Sequence, residues 1–129
     1  ARLFRAISYA ERVHAKNHFE VLGGVRSTIE NLQTAIDGEN FEVEEMYPAY
    51  FEEAKFQGEK EALRSILYAR TAEKIHSALY QEAKTAVSGG SDPEIGSVHI
   101  CSVCGHTVVG DAPDKCPVCA QPSSAFKKF

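Results

Sequence analysis

The chain has 129 residues, a net charge of −4, and a composition 43% hydrophobic and 25% charged, enough for one modest core or a core with a small appendage. The acidic balance argues against nucleic acid or an anionic membrane surface as partner, and no stretch approaches the roughly 18 apolar residues of a membrane span. The opening residues, Ala1-Arg2-Leu3-Phe4-Arg5-Ala6-Ile7, lack the separate charged and apolar parts of a signal peptide. A helical pattern runs straight on from them with no initiating Met and no cap, so the chain is expected to start inside a helix.

Residues 1 to about 22 read as the first helix. Leu3, Phe4, Ile7, Ala10 and Leu22 recur mostly at three- and four-residue steps, with His14 and His18 on the same stripe, and Gly23-Gly24 stops it. Ser27-Thr28-Ile29-Glu30 is a capping box opening a helix over Ile29, Leu32 and Ile36, with a break or bend expected at Gly38. The pattern resumes through Phe41, Glu45, Tyr50 and Phe56 and ends near Gly58. Pro48 lies within it and should bend the helix or free a carbonyl. The last long helix spans about Lys60 to Val87, with Leu63, Ile66, Leu67, Ala72, Ile75, Leu79 and Ala83 as its apolar stripe. Gly89-Gly90-Ser91-Asp92-Pro93 marks a domain boundary, giving a helical domain over 1–90 and a small domain over 96–129. The second is too poor in apolar residues to fold unaided, so a metal must supply much of its stability.

All four cysteines lie in that small domain, as Cys101-x-x-Cys104 and Cys116-x-x-Cys119. Four could form two disulfides, but paired two-residue spacings in turn-rich segments fit a four-thiolate metal site better. Thiols kept for metal point to a reducing cytoplasm. Iron and zinc both suit such a site; zinc would make it a structural ribbon and iron a one-electron carrier. Turns of this kind aim backbone N–H groups at sulfur. Val98, Ile100, Val103, Val118, Phe126 and Phe129 are expected to cover it.

The helical domain carries one phrase twice, Ala10-Glu11-Arg12-Val13-His14 and Ala72-Glu73-Lys74-Ile75-His76. Each Glu-x-x-His puts a carboxylate and an imidazole one turn apart on one face. Two such turns, with a third helix of glutamates, can hold a pair of metal ions. The middle helix offers Glu39, Glu42 and Glu45 at three-residue steps, and spacing does not choose among them. Several buried carboxylates are too costly without compensating cations or protons. The donor set suits iron or manganese and would also bind zinc. Glu44, Glu52, Glu53, Glu59 and Glu61 read as solvated surface. His18 also faces inward and reads as a core residue or a donor to a ligand carboxylate rather than a ligand. Tyr9, Tyr47, Tyr50, Tyr68 and Tyr80 are core by default, one or two of them hydrogen-bonding near the site.

These motifs, with the stretches Tyr9-Ala10-Glu11 to His18 and Gly38-Glu39-x-x-Glu42-x-x-Glu45-Met46-Tyr47-Pro48, resemble the rubrerythrin family over essentially the whole chain. The resemblance implies an all-α ferritin-like bundle, three of its four helices visible, followed by a rubredoxin-like domain. It makes Glu11 and Glu73 the bridging carboxylates, His76 a terminal ligand, and Glu39 and Glu42 the ligands of the middle helix. His14 would exchange with a middle-helix carboxylate, Glu42, as one iron changes oxidation state, and Cys101, Cys104, Cys116 and Cys119 would hold a single iron. The implied activity is a non-haem diiron peroxidase that reduces hydrogen peroxide to water in oxidative-stress defence. Its electrons would come from NAD(P)H through a reductase or rubredoxin and pass through the four-cysteine iron. Ala120 stands where the family commonly has Gly, and His106 where Tyr is common. The family's first helix, with one further Glu ligand, is not seen; a separate chain or a helix exchanged within a homodimer could supply it. The alternatives are a ferroxidase or iron-handling protein with the same diiron site, and a non-enzymatic helical protein with a structural zinc ribbon.

Overall fold

The computed structural model describes all 129 residues. Helix α1 covers Arg2–Val21 and stops at Gly23, whose left-handed φ of 69° suits glycine. Ser27 caps α2 (Thr28–Phe41) through the expected reciprocal box, its hydroxyl accepting from Glu30 N–H while the Glu30 carboxylate accepts from Ser27 N–H. Gly38 does not break this helix. The irregularity comes later, as a π-helical turn over Glu42–Met46 leading directly into α3 (Tyr47–Gln57).

Pro48 explains that turn. In the wide register Tyr47 N–H reaches Glu42 O, and the next bond would need an N–H that proline lacks. The carbonyl left over, Val43 O, accepts instead from Arg70 Nε of the last helix at 2.9 Å. The missing bond therefore ties the middle helix to its neighbour. Gly58, at φ 75°, ends α3, and α4 (Lys60–Ser88) returns antiparallel to it.

The helical core lies along α4, which packs on α2 and α3. Ile36 from α2, Ala54 from α3, and Ala72 and Ala83 from α4 are buried, the alanines allowing close approach. Ser77 Oγ donates to Asn40 Oδ1 at 2.6 Å, and Lys84 bonds Gln33, pinning α2 to α4. Helix α1 behaves differently. It packs into no interface with the other helices, and Leu3, Phe4, Ile7, Tyr9 and Phe19 are exposed along it. Its apolar stripe has helical periodicity but no partner within the chain, and the inward-facing expectation for His18 fails with it: His18 lies open to solvent.

The C-terminal domain is a three-stranded antiparallel sheet, ordered β2-β1-β3, from Val98–Cys101 (β1), Thr107–Val109 (β2) and Phe126–Lys128 (β3). It sits against α4 through β2 and the first cysteine turn. The two cysteine turns repeat one conformation. Gly105 follows the first at φ 77° and Ala120 follows the second at φ 59°, each sending its N–H back to the carbonyl of the turn's first cysteine. An alanine in the left-handed region costs about 1–2 kcal/mol, part of which a glycine loses again in unfolded-chain entropy. Ala120→Gly is therefore expected to stabilise this domain by about 0.5–1 kcal/mol, seen as slower metal loss to a chelator on warming. Faster loss would show that the turn carries no strain.

Candidate metal centres

Cys101, Cys104 and Cys116 are buried and Cys119 is half-buried, and their four sulfurs gather into one cluster. Sγ of Cys101 lies 3.6 Å from that of Cys119, and Sγ of Cys104 lies 3.5 Å from that of Cys116. Disulfide sulfurs would be about 2.05 Å apart. A tetrahedron with metal–sulfur bonds of about 2.3 Å has edges of about 3.8 Å, so the spacing fits one ion after a small expansion. Burial pushes the Cys101 thiol up, yet N–H groups of Val103 and Cys104, with neighbouring thiols, more than offset it and bring it to about 7. Burial pushes Cys104 well up, against an N–H from His106. Four thiols gathered this closely, with burial opposing ionisation at Cys104, call for a cation among them.

Tyr68 of α4, Val118 and Phe126 pack on the sulfurs. Val103 and Phe129, expected to cover the site, are instead exposed, because Val103 points out of the first turn and Phe129 ends the edge strand. His106 serves as an aromatic, its ring edge-on to Phe126 at 6.5 Å. Its Nδ1 is buried without a partner, and burial lowers its pKa so that the ring stays neutral.

The second centre lies where α2 crosses α4. Glu39, Glu73 and His76 bring a ligand atom each within 4.8 Å of one another. His76 Nδ1 is 2.7 Å from Glu73 Oε2 and 3.8 Å from Glu39 Oε1. The glutamate side chains are 18% and 17% exposed, so like charges face each other with little water between them. Burial first, then the hydrogen bond and negative charge of Glu73, then the charge of Glu42, raise Glu39 to about 7. Glu42 thus lies close enough to be felt, whereas Glu45, within the same π turn, is exposed. Tyr47, on the same turn, feels Glu42, Glu73 and Glu39, and burial with these charges raises its hydroxyl above the usual 10. The sequence left the five tyrosines undistinguished; Tyr47 is the one whose hydroxyl responds to all three carboxylates.

This cluster fits cations. A proton on Glu39 compensates the carboxylates when no metal does, so metal must displace it. With the carboxylate site stripped of metal, the folded chain holds that proton where the unfolded chain, with Glu39 at its ordinary 4.5, has released it. The contribution to stability is present below about 4.5 and lost as pH rises through about 7. The stripped protein is expected to melt at a lower temperature at pH 8 than at pH 5.5, and Glu39→Gln should flatten that dependence. A melting temperature that rises over this range equally in both proteins would contradict the assignment.

Glu11 and His14 are not part of this cluster within one chain. They sit on α1, 68% and 60% exposed, with His14 Nδ1 3.4 Å from Glu11 Oε2. The repeated Glu-x-x-His thus forms two local pairs, one inside the fold and one facing solvent. Between the centres runs a cleft of about 360 Å³ bordered by Glu73 and His76 on one side and Cys104 and Gly105 on the other.

Comparisons with known proteins give the family of both domains. A family profile described as rubrerythrin matches residues 1–84, and one described as the rubredoxin-like domain of rubrerythrin matches residues 99–127. Rubrerythrin-2 of Clostridium acetobutylicum is 44% identical, the match covering 99% of this chain and 77% of that protein. Nigerythrin of Nitratidesulfovibrio vulgaris is 27% identical over 100% of this chain and 69% of its own. A solved structure of nigerythrin in a partially reduced state superimposes with a TM-score of 0.71 at 30% identity, covering 81% of this chain. The chain spans about half the length of that structure (51%). These likenesses assign iron to the four-thiolate cluster and a pair of irons to the carboxylate–histidine cluster.

Proposed function

Because the chain belongs to the rubrerythrin family, we propose that it reduces hydrogen peroxide to water at a diiron site, with electrons delivered through the four-cysteine iron. The observation that carries this reading is the cleft bordered by Glu73 and His76 of one cluster and by Cys104 of the other. The irons supply the electrons: peroxide takes two electrons and two protons and leaves as two waters. The chain's own residues manage the protons. Glu39 gives up its proton when metal binds, whereas Tyr47, its hydroxyl held above the usual 10 by burial and the neighbouring carboxylates, keeps its hydrogen beside Glu39, Glu42 and Glu73. Cys101, Cys104, Cys116 and Cys119 would hold the iron that returns electrons to the site one at a time, with a rubredoxin or an NAD(P)H-dependent reductase as their source.

The ligands that this chain supplies on this reading are Glu39, Glu42, Glu73 and His76 from one copy and Glu11 and His14 from α1 of a second, and the further Glu implied by the family resemblance is not among these residues. Two features support the exchange. Helix α1 has an apolar stripe with nothing to pack on, and the cluster of the same chain holds one Glu-x-x-His where a diiron centre in a helical bundle uses two. A symmetric dimer that trades α1 satisfies both at once. His14 is then the ligand able to come and go with oxidation state.

The test is spectroscopic. The iron-loaded protein is reduced without air until the visible absorption of the ferric thiolate site is bleached, and hydrogen peroxide is then added. A peroxidase restores that absorption at once and consumes two electrons per peroxide. A ferroxidase or iron store would leave the thiolate iron reduced, and a zinc ribbon would have no such absorption to bleach.

A further inference from the structure

Thr107 is the one polar residue among the buried positions, and it belongs to neither donor set. It opens β2, the strand that packs on α4. Its Oγ1 lies 2.8 Å from His76 Nε2 and donates to Gly105 O at 3.2 Å. No other hydrogen bond or ion pair joins residues 1–90 to residues 96–129. The contact between the two domains is otherwise van der Waals packing, such as Ala72 against the Gly105 turn.

We propose that Thr107 is a positioning residue for His76, fixing which ring nitrogen faces the metal and locking the cysteine domain onto the diiron site. The two ring nitrogens face different surroundings. Nδ1 is turned to Glu73 and Glu39, and Nε2 is turned to Thr107. If Nδ1 is the metal-facing atom, the ring hydrogen resides on Nε2, and a hydroxyl already donating to Gly105 O is free to accept it. The directions of the two bonds agree: ring N–H to hydroxyl, hydroxyl to carbonyl. That carbonyl belongs to the residue after Cys104, so the chain of bonds ends on the first cysteine turn. A partner of this kind raises the basicity of a metal-bound imidazole and holds its plane, and losing one commonly weakens metal binding about 10–100-fold. A structural packing role would need only the methyl group and volume of Thr107, which valine keeps.

The inference rests on the reading of His76 as a ligand, and the two can fail separately. Thr107→Val, Thr107→Ser and His76→Ala are made in the full-length protein, with the visible absorption of the ferric four-cysteine site reporting that the small domain is folded. Zinc is titrated into the carboxylate site, and the imidazole of His76 is followed by nitrogen-15 NMR in the zinc-loaded protein. Wild type is expected to show a slowly exchanging Nε2–H close to the Thr107 side chain, a measurement that needs no variant. Thr107→Val should bind zinc there about tenfold more weakly and lose that protected hydrogen, and Thr107→Ser should recover both. Unchanged affinity in Thr107→Val, no rescue by Thr107→Ser, or a wild-type ring protonated at Nδ1 would each overturn the positioning role. If His76→Ala leaves zinc affinity unchanged, it is the ligand assignment that fails.

Discussion

Glu73→Ala is expected to leave the helices folded, empty the carboxylate–histidine site and cut peroxide turnover by more than about a hundredfold. Glu73 is the hub of that cluster. It bonds His76 Nδ1 at 2.7 Å, shares a hydrogen bond with Glu39, and sits on the face of α4 that crosses α2. Without it Glu39 and His76 lose the group that holds them together. The folded chain tolerates the change because a half-buried negative charge is removed rather than added. Elemental analysis should find iron falling from about three to about one per chain, while the visible absorption of the thiolate iron persists. Full iron content in this variant would mean that Glu73 is not a ligand.

Cys104→Ser is expected to have the other large effect, by unfolding the small domain. That domain spans about 34 residues with a three-stranded sheet and few buried side chains, below the size at which a domain folds without a metal or disulfides. A four-thiolate metal contributes on the order of 10 kcal/mol to such folds, and a serine hydroxyl does not replace a thiolate. Hydrogen exchange should lose protection over 98–129, including the strand that carries Thr107. Turnover with an NAD(P)H-linked donor should stop, yet a chemically reduced sample should still complete one round with peroxide. Survival of donor-linked turnover would mean that electrons reach the diiron site by another route.

Much of this architecture is legible in the sequence because its causes are local. The Ser27–Glu30 box, the Gly23 and Gly58 stops and the two cysteine turns each depend on residues within one turn of one another, and each is found where the pattern puts it. Pro48 freeing a carbonyl is likewise a local consequence, although its answer by Arg70 is not. What the sequence leaves open depends on contacts between distant segments. Thr107 meets His76 across 31 positions of chain, and no periodicity marks either for the other. Tyr47 looks like any core tyrosine until the π turn sets it beside three carboxylates. The apolar stripe of α1 reads the same whichever molecule buries it, because periodicity marks a face and not its partner. Glu11, His14 and His18 inherit that ambiguity.

Complementation between two inactive variants tests the exchange of α1 most directly. Glu11→Ala and Glu73→Ala are purified separately, each with little turnover, then unfolded together, refolded in equal amounts and reloaded with iron. If α1 of one copy completes the site of the other, each mixed dimer contains one site carrying both changes and one site carrying neither. Peroxide turnover should then return to about a quarter of the wild-type value per chain. If each chain uses its own α1, every site carries one change, and turnover after mixing would stay at the level of the separate variants.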